Sequence, residues 1–154
     1  MWGKFGNVHF RTMYLAERNR VREMPVVVDA HFDLHYRSLS MLVDRIRKIC
    51  LSLPEAYEEE TWNTATFRFR KKIFAMAADH DGGSTVCMKA DRDEQQALLN
   101  QGEPFFYPAY VGPKGWIGVD LRSENADWGA VDELIRESYR LVAPKRLASS
   151  INQA

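Results

Sequence analysis

The chain has 154 residues, 45% of them hydrophobic and 12% aromatic, which suffices for one ordinary core and gives no sign of a second domain. Its 21 Lys/Arg balance 21 Asp/Glu, so no long-range field gathers polyanions and any nucleic-acid surface has to be local. Two unpatterned cysteines, Cys50 and Cys87, indicate neither a disulfide framework nor a metal site, and no apolar run approaches the roughly 20 residues of a membrane-spanning helix.

Residues 1–37 mix aromatics and arginines without sustained period and carry a charge of +2. The N-terminus lacks a signal-peptide apolar core, so a cytoplasmic protein is the default expectation. Met41 stands at the head of the first regular helix, and the stretch before it is expected to be a poorly ordered extension or the product of an upstream start. His31 and His35 lie four apart near Asp33, a spacing that would bring two imidazoles to one helix face, but no further ligand cluster joins them.

From Ser40 the pattern is helical. Val43, Ile46, Cys50 and Leu53 recur at three- and four-residue spacing, with Ser40 as N-cap, Pro54 as stop, and Arg45, Arg47 and Lys48 on a solvated face. Tyr57 to Thr64 reads as an acidic connector with the character of an edge strand, anchored by Trp62. Thr66 to Lys89 reads as three antiparallel strands. A turn at Lys71-Lys72 would pair Phe69 with Phe74 and Phe67 with Met76, leaving Arg68 and Arg70 on the other face. The second turn, His80-Asp81-Gly82-Gly83, has the glycines that positive φ requires.

Asp91 with Glu94 forms a capping-box start for a short helix to about Gln101, ended by Gly102. Phe105–Tyr110 and Gly115–Leu121 then read as strands around Val111-Gly112-Pro113-Lys114, with Pro108 confining the first to an edge. Trp116 and Gly118 point the same way, so the indole is expected over the spot the glycine leaves bare. A last helix opens at Asp127, carries Val131, Leu134, Ile135, Ser138, Leu141 and Val142 on one stripe, and stops before Pro144.

The segments ICLSLPEA (Ile49–Ala56), TWNTATFRFRKKIFA (Thr61–Ala75), VCMKAD (Val86–Asp91), YVGPKGWIGVDL (Tyr110–Leu121) and ESYRLVAPKRLA (Glu137–Ala148) resemble, in order and spacing, the MmcQ/YjbR-like family over about residues 40–148. Asn63, Ala65 and Lys71 depart from the family's usual Gly, Pro and Gly. The resemblance implies an α+β two-layer sandwich with a five-stranded antiparallel sheet, in the order α-β-β-β-α-β-β-α, similar to type III secretion chaperones. The domain would cover 38–148, between the extension 1–37 and a tail 149–154. It also implies the family's usual assignment, double-wing DNA binding.

Three functions compete. DNA binding would use a basic hairpin of Arg68, Arg70, Lys71 and Lys72, with Lys89 on an adjoining strand, although Glu58-Glu59-Glu60 offsets part of that charge. A protein- or small-ligand-binding module would use an aromatic face of Trp62, Tyr107, Tyr110 and Trp116 with Lys114 as a cationic handle. Catalysis is the weakest, because no phosphate loop, nucleophile motif or metal cluster is present in the 40–148 region, and no cofactor is implied. The sequence therefore predicts a non-enzymatic binding protein with DNA, or else a protein, as partner and no membrane association.

Overall fold

The computed structural model describes residues 30–80 and 83–151. The chain divides into a unit Met1–Asp33 and a unit Leu34–Ala154, and the architecture below is that of the second. The readings made on residues 1–29, on Asp81-Gly82 and on the side chains of His31 and His35 fall outside what is described.

Helix α1 (Ala30–Leu51) leads into four consecutive strands, β1 (Ala56–Thr61), β2 (Thr64–Phe69), β3 (Lys72–His80) and β4 (Gly83–Lys89). Helix α2 (Arg92–Gln101), strand β5 (Phe105–Phe106), a 3-10 turn (Gly112–Lys114), strand β6 (Trp116–Asp120) and helices α3 (Trp128–Val142) and α4 (Lys145–Ser150) follow. The strands form one antiparallel sheet in the order β1-β2-β3-β4-β6-β5. The fold is α+β as the sequence predicts, with six strands instead of five. The sixth is the acidic segment Ala56–Thr61, which pairs with β2 along its whole length. Helix α1 begins at Ala30, so Ser40 is an interior residue and not its N-cap.

The four helices among the described residues lie on one face of the sheet. Ile46 and Cys50 of α1, Leu98 and Leu99 of α2, Val131, Ile135 and Tyr139 of α3, and Leu147 of α4 join Phe67, Phe69, Phe74, Val86, Met88, Ile117 and Val119 in one core cluster. Burying a large apolar side chain is worth about 1.5–3 kcal/mol, so this cluster holds the two layers together. Tyr139 is central to it: its ring meets Phe69 and Phe74 edge-on at 5.9 and 5.5 Å, and its hydroxyl donates to Pro54 O at 2.7 Å. Leu141, expected on the same stripe, is 56% exposed. Pro144 ends α3 and also opens α4, and Ile151 beyond it is buried, so the core extends into the stretch read as a tail.

The register of the β2–β3 hairpin differs from the expected one. Phe69 pairs with Lys72 across a turn at Arg70-Lys71, and a bulge leaves Phe74 without a β2 partner, so that Phe67 faces Ala75. The bulge buries the consecutive residues Phe74 and Ala75 together, so that beside Phe67 and Phe69 the core takes the small Ala75 where strict alternation from Lys71-Lys72 would bring Met76. Arg70 takes positive φ (52°) to make the turn.

A basic end of the sheet as the candidate functional site

The antiparallel register sorts the outward side chains of the strands by end and by face. The β2–β3 turn, the last residue of β4 and the first of β6 share one end of the sheet. There Lys89 pairs with Trp116, and Ala90 N donates to Gly115 O at 2.9 Å. The pairing of Ala75 with Met88 carries Lys72 level with the chain just past Lys89. This end therefore gathers Arg70, Lys71, Lys72, Lys89 and Lys114.

Arg70, Lys71 and Lys72 are exposed, and none of the three makes an ion pair among the described residues. The Arg70 guanidinium lies 5.3 Å from the centroid of the Phe69 ring, and its carbonyl accepts a hydrogen bond from the Tyr57 hydroxyl. The tip is thus fixed from below while its charges face water. Lys89 is half-buried, with its ammonium 5.8 Å from the centroid of the Trp116 ring. Its backbone N–H donates to Ser138 Oγ at 2.9 Å, and that hydroxyl donates to Phe74 O at 2.6 Å. A serine in an apolar stripe is in this way the clasp between α3 and the ends of two strands.

Arg68 departs from the sequence reading. Its side chain is only 15% exposed, and it donates to Thr61 Oγ1 at 2.8 Å and Thr66 Oγ1 at 3.2 Å beside Glu59 at 3.5 Å. It lies on the face opposite Phe67 and Phe69, as a tie between β1 and β2. The acidic run is likewise partly used in structure, since Glu58 receives a two-pronged contact from Arg47 of α1 at 2.6 and 2.9 Å. Arg45, read as solvated, stands 4.1 Å over the Trp128 ring.

The expected aromatic face is not one face. Trp62 is 88% exposed at the tip of the β1–β2 hairpin, where it and Asn63 both have positive φ (53° and 58°), at the end of the sheet opposite the basic one. Trp116 is only 6% exposed. The ring that covers Gly118 belongs to Phe106: a Cβ at Gly118 would stand 2.3 Å from Phe106 Cζ. Tyr107 and Tyr110 are exposed at 51% and 93%, and they sit with Lys114 in the loop at the basic end. Sequence reasoning missed Gln95, whose buried amide donates to Gly112 O at 2.8 Å and Trp116 O at 2.7 Å and so fixes that loop. Its only sequence signal is a polar residue on the inner side of a short capped helix.

An open groove of about 670 Å³ lies at the far end of β6, lined by Glu103, Phe106, Asp120, Arg122 and Glu124 among others. Arg122 contacts Asp120 at 3.2 Å, and the guanidinium's hydrogen bond holds that carboxyl below the usual carboxylate range. The groove touches none of the cationic residues of the hairpin. Among the described residues no helix is long and apolar enough to cross a membrane.

The sequence profile of the YjbR family matches residues 51–141, which takes in the sheet, α2 and nearly all of α3. The chain belongs to the YjbR family. Among solved structures, this YjbR-family chain is similar to the Deinococcus radiodurans protein DR2400, described as a DUF419 domain. The two share 21% identity with a TM-score of 0.59 over 71% of this chain and 87% of that one. It is also similar to a Pseudomonas syringae protein at 16% identity and a TM-score of 0.54, over 68% of this chain and 97% of the other. Both likenesses concern the fold. No curated protein matches the chain.

Proposed function

We propose that this YjbR-family chain is a non-catalytic, cytoplasmic DNA-binding protein that holds backbone phosphates at the basic end of its sheet. The observation that carries the reading is the trio Arg70, Lys71 and Lys72: three consecutive exposed cations on a tight hairpin tip, without carboxylate partners among the described residues. A carboxylate-free cation at a fixed tip keeps its full charge for a phosphate, whereas Arg68, tied to Thr61, Thr66 and Glu59, has a structural role. Contacts of this kind position a nucleic acid without reading its bases, so the binding is sequence-tolerant.

The protein-binding alternative is weaker, because the aromatic residues it needs are split between opposite ends of the sheet and Trp116 is buried. The test is fluorescence anisotropy of labelled DNA, duplex and single-stranded, titrated with the full chain across a salt series. Three phosphate contacts give a log-log salt slope of about −2.7 on a duplex and about −2 on a single strand. Replacing Arg70, Lys71 and Lys72 together by alanine should weaken binding to every sequence and flatten that slope. Absence of saturable binding to either form at low salt, or an unchanged slope in the triple variant, removes the reading.

A further inference from the structure

Resting on that reading, we infer that the DNA is single-stranded, with a base stacked on Tyr110 and its flanking phosphates held by Lys114, Lys89 and the Arg70–Lys72 tip. The loop that carries Tyr110 is built rigidly. Gly112 N donates to Pro108 O at 2.9 Å, Val111 N to Ala109 O at 2.8 Å, Lys114 N to Val111 O at 2.9 Å and Gly115 N to Gly112 O at 3.0 Å. The Tyr107 ring presses on Gly112, where a Cβ would stand 2.4 Å from Tyr107 Cε1, and Gln95 anchors the loop from beneath. On this support Tyr110 is held at a φ of 66°, a conformation that disfavours any residue with a side chain, and its ring is 93% exposed. A large aromatic surface kept in water at a strained position gains nothing from the fold itself.

What it can gain is a stacking partner. Bases of a duplex are already stacked and paired, whereas those of a single strand present free faces to an aromatic ring beside cations that track the backbone. The spacing suits this. From Lys72 on β3 to the loop before β6 is two to three strand separations, or about 10–14 Å, which an extended strand of a few nucleotides covers. The acids nearest this end include Asp91, whose carboxylate accepts from Glu94 N at 2.8 Å and so is engaged as a helix cap.

The test compares a labelled thymidine homopolymer with a mixed-sequence duplex of equal length, at low salt and with the full chain. The homopolymer should bind at least about tenfold more tightly. Tyr110→Ala should weaken homopolymer binding by about five- to a hundredfold with an unchanged salt slope, because it removes stacking and no charge. Tyr110→Phe should retain the affinity, which separates stacking from loss of the fold. Duplex binding as tight as homopolymer binding, or a silent Tyr110→Ala, overturns this inference and leaves the phosphate-holding reading in place. If neither DNA binds, both fall.

Discussion

Replacing Ser138 by alanine removes one hydroxyl that serves two strands at once. In the folded protein Ser138 is fully buried, donates to Phe74 O and accepts from Lys89 N. The bulge at Phe74 and the end of the β3–β4 ladder at Ala75–Met88 make this hydroxyl the link between those two backbone groups. Alanine leaves a carbonyl and an N–H without that partner, each costing about 1–3 kcal/mol, for a total near 2–6 kcal/mol. Set against a domain stability of about 5–15 kcal/mol, that is a large share. For a domain of this size it corresponds to a fall in Tm on the order of 10 °C. Thermal unfolding followed by circular dichroism reads it, with Ser149→Ala as control: Ser149 is exposed and donates only to Lys145 O of its own helix, so its loss should stay within about 0.5 kcal/mol. A Ser138→Ala protein that melts like the control would refute the clasp and, with it, the account of how Lys89 is held.

Gly118→Ala should destabilise by about 1–3 kcal/mol, because the new methyl collides with the Phe106 ring, and pairing it with Phe106→Ala should recover part of the loss in a double-mutant cycle. Burial pushes the Cys87 thiol up to about 11 and raises that of Cys50 as well, so at pH 8 about one Cys87 thiol in a thousand is ionised. Both should resist iodoacetamide in the native protein and react quickly once urea unfolds it; prompt native labelling would contradict the burial. Changing Trp62-Asn63 to Asn-Gly should raise stability by about 1 kcal/mol, since both positions require positive φ, and a loss on chemical denaturation would show that the indole packs against something.

Much of the sheet was legible because glycine and alternation speak locally. The β3–β4 hairpin follows from Gly82-Gly83, and the α2 start follows from Asp91, whose carboxylate does accept from Glu94 N. Period-2 patterning places the β2–β3 turn one residue late because a bulge has no local signature: Phe74 and Ala75 are consecutive and both buried, which alternation cannot show. The acidic segment shows only the character of an edge strand in the sequence because three glutamates mask β-propensity, and two of them gain arginine partners only through tertiary contact. On α3, Tyr139 and Leu141 lie on opposite margins of one apolar stripe, and only the positions of Phe69 and Phe74 decide that Tyr139 turns inward. The basic tip was visible as a charge run, but the withdrawal of Arg68 was not, since its partners Thr61 and Thr66 flank a turn whose register had to be known. Tyr107, Tyr110 and Lys114 share a loop at one end of the sheet and Trp62 stands at the other, a separation that sequence does not give because it depends on the strand order.

Strand β1 is the outer strand of an otherwise continuous antiparallel sheet, six residues long and free of proline. Its outer backbone groups would accept a further strand from another molecule, the first step toward fibrous aggregation. Glu58 and Glu59 are matched by Arg47 and Arg68, whereas Glu60 makes no ion pair among the described residues, so a second copy of the same edge meets the Glu60 charge of the first. In a protein whose net charge is zero, that one carboxylate at the border supplies locally a repulsion that the overall charge does not.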